Sequence, residues 1–179
     1  MIKKTLVTFL IAFVFSPAFA QEEKHSHMSM KKEGMMAPRQ ALLEGEKQEV
    51  LNVLKANEPL RISFFRRDYS GAEKAAKDVI NAIDKLSNQT IKATLAFAKG
   101  KLAQIGPAQS RKDNNQNYHL ISMALLHIVG KYDVGNVYNG YYCPMEKKKW
   151  VQNSEKTMEA QNPFASDNMP NCGEMITQY

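Results

Sequence analysis

The side chains best equipped for chemistry in this chain are soft donors, and they fall into two clusters. One is His25, His27, Met28 and Met30, followed by Met35 and Met36. The other is Cys143-Pro-Met145 together with Met169-Pro-Asn-Cys172. Of the ten methionines, only Met123 lies between residues 37 and 142. Methionine used as core filler is scattered through a helical body, because its flexible thioether fills gaps anywhere. Here it concentrates beside histidine and cysteine. Thioether, imidazole and thiolate together suit copper, above all Cu(I), with zinc or another soft metal as the weaker fit.

The cysteine cluster is a near-mirrored pair, each half supplying one thiolate and one thioether. Folding the intervening loop back would place Cys143, Met145, Met169 and Cys172 around one soft ion. Pro144 restricts the backbone after the first cysteine and Gly173 frees it after the second. A disulfide suits the same residues. In an oxidising compartment the two cysteines can simply join, closing a loop of 28 intervening residues, worth about 3–4 kcal/mol on chain-entropy grounds. The protein then needs no metal. Both readings stand on the sequence.

A third group lies on a helix expected over 117–129. Tyr118, Ile121, Leu125, Ile128 and Val129 share one face. At about 100° per residue, His119, Met123 and His127 fall on the far side, stacked at four-residue steps. Leu120, Ala124 and Leu126 flank that line, so the face is costly to leave wet. The C-terminal segment is therefore expected to cover it and bring Cys143 and Met145, or Met169 and Cys172, near the two histidines. The first cluster reads as a separate, weaker and adaptable metal site on a flexible arm.

The elements that must position these residues follow from punctuation and periodicity. Residues 1–20 read as a secretory leader: Lys3 and Lys4, an apolar run from Leu6 to Phe15, and Ala18-Phe19-Ala20 as the cleavage site. The apolar run is short for a membrane span. The expected product is an exported, periplasmic protein with no membrane insertion. Without Lys3 and Lys4 it keeps 22 basic and 18 acidic residues, a mild +4. No aromatic–basic interleaving suggests nucleic acid, and Lys147-Lys148-Lys149 reads as a solvated turn.

Residues 21–38 read as a disordered polar arm, and 39–179 as a single domain. Helices are expected from about 39 to 57, from Ser70 with a Ser70–Glu73 capping box, from about 88 to 105, and from 117 to 129. Pro59 is expected to interrupt or kink the first, and Ser110 to Gln116 to be a polar linker. The fold class is mainly α: an antiparallel bundle of about four helices with an irregular C-terminal segment packed on it. That segment lacks helical period after Gly130 and needs a disulfide or a metal to hold it.

The motifs of that segment carry a resemblance. Val137-Tyr-Asn-Gly-Tyr-Tyr-Cys-Pro-Met145, Trp150, Asn162-Pro-Phe164 and Met169-Pro-Asn-Cys-Gly173 resemble the pattern of an uncharacterised family of bacterial periplasmic helical domains. Members of that family occur alone or fused to the membrane-fusion adaptors of heavy-metal efflux pumps. The resemblance implies a copper or heavy-metal role with an efflux adaptor or other envelope protein as partner. It departs at Ala165-Ser-Asp-Asn168, where the family often has glycine, and at His119, where it commonly has arginine. No nucleophile–base pair, H-E-x-x-H or phosphate-cradling glycine loop is present, so an enzyme is not expected. The alternative to metal binding is a disulfide-stapled helical interaction module of the envelope.

Overall fold

Apolar residues at three- and four-residue steps build four helices among the described residues: α1 (Glu44–Arg66), α2 (Tyr69–Asp84), α3 (Gln89–Leu102) and α4 (Arg111–Lys131). The structure, a computed structural model, describes residues 38–179 apart from 158, 167 and 178. The leader and the arm expected from the sequence, apart from Pro38, lie outside the described residues. Consecutive helices pack on one another through short connections. Their inward residues, among them Val50, Leu54, Phe64, Val79, Ile83, Ile91, Leu95, Tyr118 and Leu125, form one core. The protein is mainly α, and its C-terminal segment packs on the bundle.

Four expected boundaries move, each for a local reason. Pro59 does not end α1, which runs through it for 23 residues. Proline removes its own donor and frees the carbonyl four residues back, here that of Lys55. Both Pro59 and Lys55 lie on the exposed face, where water can satisfy that carbonyl. The start of α1 is later than expected, because residues 39–40 are tied elsewhere: Gln40 bridges to Tyr132. The N-cap of α2 is Asp68, not Ser70. Its carboxylate accepts the Gly71 N–H at 2.8 Å, and Glu73 pairs with Lys77 instead. Finally, α4 begins six residues early. Ser110 accepts the Asp113 N–H at 3.1 Å. The side chain of Asn114 is buried against the α3–α4 connection, donating to the Gly106 carbonyl and accepting the Gly106 N–H. The polar run is thus a capped helical turn rather than a linker.

The C-terminal segment forms a small sheet in the order β2-β1-β3, from β1 (Tyr138–Cys143), β2 (Lys148–Asn153) and β3 (Glu174–Met175). The hairpin pairs Tyr141 with Trp150 and Cys143 with Lys148, and β3 returns beside β1 by pairing Tyr142 with Glu174. Strands β1 and β2 lie on α4. A Cβ built at Gly140 would sit 2.6 Å from the Leu126 side chain, so glycine lets β1 approach the helix. At the other end, Arg39 donates to the carbonyls of Val129 and Gly135 and to the Asp133 carboxylate. Its guanidinium lies 3.9 Å from the Tyr179 ring centre.

Candidate metal centre

Cys143 and Cys172 are joined by a disulfide, with 5.5 Å between their Cα atoms. Of the two forms the sequence allowed, this structure holds the oxidised one. Disulfide sulfur carries no charge and is a poor ligand, so in this oxidation state the thiolate half of the expected donor set is absent.

The four sulfur residues nevertheless meet. Cys143, Met145, Met169 and Cys172 line one crevice, together with Glu146, Ala165 and Ser166. The crevice is too tight to admit a water molecule. Met145 is 67% exposed and Met169 is 41% exposed, so both thioethers stand at the surface rather than in the core.

Each half of the crevice is held by its own hydrogen bonds. Cys143 ends β1 and has no exposed surface. The hairpin turn follows, with Lys147 in the left-handed region at φ 53°, and the Glu146 N–H points to the Cys143 sulfur at 3.4 Å. On the other side Asn162 is the organiser. Its side-chain amide donates to the Cys172 carbonyl at 2.9 Å, its carbonyl oxygen accepts the Phe164 N–H, and its backbone N–H donates to the Pro170 carbonyl. The Cys172 N–H in turn donates to the Met169 carbonyl. Trp150 stacks on Tyr141 and meets Phe164 edge to face, and Gly173 lies against the Trp150 ring. The motif residues Trp150, Asn162, Phe164 and Gly173 thus all hold the loop around the two cysteines.

The histidine–methionine line on α4 does not join them. None of His119, Met123 and His127 lines the crevice. The sheet covers α4 on the side of His119 and Leu126, while Met123 and His127 face solvent. The expected stripe therefore splits: its first member is covered and the other two stay wet. His119 meets the Phe164 ring edge to face at 5.8 Å. Burial pushes its pKa below the ordinary value, and the Lys148 charge adds to this, against an opposing hydrogen bond with the Lys149 backbone. Its Nδ1 is buried with no hydrogen-bond partner among the described residues. Among those residues, no group of three or more His, Cys, Asp or Glu is placed to hold a metal ion. His25, His27, Met28, Met30, Met35 and Met36 lie outside the described residues.

Sequence reasoning passed over a buried ion pair that supports this region. Arg61 and Glu58, only 2% and 6% exposed at their side chains, pair at 3.0 Å. Glu58 accepts the Asn153 N–H of β2, and Arg61 donates to the Gln161 carbonyl at the head of the cysteine loop. The signal was available: a Glu-x-x-Arg step inside the apolar stripe of Leu54, Leu60 and Phe64. Arg67 and Arg111 both donate to the Ala165 carbonyl, fixing the same loop from α1 and α4.

Among the described residues, no helix is long and apolar enough to cross a membrane. Compared with known proteins, the chain matches no family model, no curated protein and no solved structure.

Proposed function

We propose that this is an exported, periplasmic binding protein for a soft metal ion, with Cu(I) as the preferred cargo, serving resistance, storage or delivery to an efflux partner. The observation that carries the reading is that four sulfur side chains, from segments more than twenty residues apart, line one surface crevice. With the cysteines as thiols, Cys143, Met145, Met169 and Cys172 fit a Cu(I) donor set of two thiolates and two thioethers. The arm residues His25, His27, Met28, Met30, Met35 and Met36 form a second, weaker site. The likeness of residues 137–173 to periplasmic domains associated with heavy-metal efflux adaptors supports the same reading by analogy.

The experiment is an anaerobic Cu(I) titration of the reduced protein against a chromophoric competitor. One tight equivalent is expected, lost in Cys143→Ser/Cys172→Ser and weakened in Met145→Leu/Met169→Leu. Deleting residues 21–37 should remove only weaker equivalents and leave the melting temperature nearly unchanged. If reduced wild-type protein binds Cu(I) no better than the double serine variant, the reading fails.

A second reading is favoured by the disulfide itself. A stapled helical interaction module needs the Cys143–Cys172 bond and its supports Trp150, Asn162 and Gly173, and needs no metal. Reduction would then cost stability without creating any Cu(I) affinity.

A further inference from the structure

We infer that the Cys143–Cys172 disulfide is a redox gate on the sulfur crevice, opened by a dithiol that attacks Cys172 and expels Cys143 as a thiolate. The inference rests on the soft-metal reading for what the gate controls.

The two cysteine residues are unequal. Cys143 has no exposed surface, whereas Cys172 is partly exposed. Thiol–disulfide exchange needs a thiolate to reach one sulfur in line with the bond, so access directs attack to Cys172. The leaving group is then Cys143, whose sulfur already accepts the Glu146 N–H at 3.4 Å. Lys148 is its cross-strand partner, with its ammonium 5.7 Å from the Phe164 ring centre. A hydrogen-bond donor stabilises a departing thiolate.

Electrons and protons balance with a dithiol as reductant. The first dithiol thiolate bonds to Cys172 Sγ while the disulfide breaks, leaving Cys143 as a thiolate. The second dithiol sulfur, having lost its proton, attacks the first, forms the reductant's own disulfide and releases Cys172 as a thiolate. Two electrons pass to the protein. The thiolates take up protons from water, and Cu(I) binding displaces those protons again.

Opening does not scatter the donors. Directly after Cys172, β3 pairs with β1 through Tyr142–Glu174 and Tyr141–Met175, and the Asn162 amide holds the Cys172 carbonyl. The half of the crevice that carries Cys172 therefore stays beside Cys143 without the covalent bond. Thiolate–metal bonds of about 2.3 Å need the sulfurs to part, and parting them makes room in a crevice that is otherwise shut. The closed form keeps only two thioethers at its rim.

The test uses the intact oxidised protein and glutathione as the attacking thiol. After brief exposure under native conditions, free thiols are trapped with iodoacetamide and the peptides are mapped by mass. Glutathione is expected on Cys172 and the alkyl group on Cys143, in excess by about tenfold or more. The reverse pattern, or adducts that form only in denaturant, overturns the gate. In parallel, Cu(I) affinity is compared for the oxidised protein and the dithiol-reduced protein, with circular dichroism confirming retained helix. An increase of about a hundredfold or more on reduction is expected. Equal, tight binding by both forms overturns the gate and leaves the soft-metal reading standing. Binding by neither form sinks the soft-metal reading and the gate with it.

Discussion

Gly173 lies flat against Trp150: a Cβ added there would sit 2.5 Å from the ring edge and 3.1 Å from the Ala160 side chain. The glycine follows Cys172 directly, so the indole ring fixes where the cysteine loop can pass. Trp150 is itself fully buried and donates its ring N–H to Gln152 at 3.2 Å, so it has little freedom to retreat. Gly173→Ala should destabilise the protein by about 1–3 kcal/mol through overpacking, read by chemical denaturation. Unchanged stability would mean the ring shifts freely and does not position the loop.

Arg61 is the hinge of a buried polar network between α1 and the C-terminal segment. Arg61→Met leaves the Glu58 carboxylate buried without its cation, a change that costs about 3–5 kcal/mol in buried pairs. The double variant Glu58→Gln/Arg61→Met removes the stranded charge and should recover much of that loss. A double variant as unstable as the single one would show that the hydrogen bonds to Asn153 and Gln161, rather than the charge, hold the region.

Removing the staple should cost less than the fold. Cys143→Ser/Cys172→Ser frees a loop spanning a sequence separation of 29, which predicts a loss of about 3 kcal/mol. The helical signal should survive, because the inward residues of α1 to α4 pack among themselves. Loss of helix at ordinary temperature would show that the bundle depends on the sheet.

His119 should give the protein an acid-sensitive element. Its pKa in the folded protein is depressed by burial and by Lys148, so the unfolded chain takes up the proton first. The stability it contributes is fully present above the unfolded imidazole value of about 6.5 and is lost as pH falls from there through the lower folded value. The melting temperature of wild type should therefore drop more steeply between pH 7 and 5 than that of His119→Gln. Parallel curves would assign the acid response to other groups.

The helical body was legible because its signals are local. The steps of Ala72, Ala76, Val79 and Ile83, and of Ile91, Leu95, Ala98 and Leu102, mark buried faces wherever they occur. The errors came where tertiary context outranks a local rule: Pro59 is harmless because its turn faces water, and Asp68 caps α2 ahead of Ser70. The segment 111–116 is helical because Ser110 caps it and Asn114 anchors it, both polar residues that read as linker. At the site, grouping Cys143, Met145, Met169 and Cys172 needed only the mirrored motif. Separating His119 from them needed the path of the hairpin, which is set by Gly140 against Leu126 and leaves no periodic trace. The oxidation state of the cysteines depends on compartment chemistry rather than residue order, so the sequence left it open.

One guanidinium braces both borders of the described body. Arg39 grips the end of α4 and the turn at Gly135, and it carries Tyr179 on its face. Mechanical or proteolytic damage to either border should therefore propagate to the other: trimming Tyr179 ought to make the backbone around Arg39 and Gln40 exchange its amide hydrogens faster, although some 140 residues of chain lie between them. The two borders behave as a single latch.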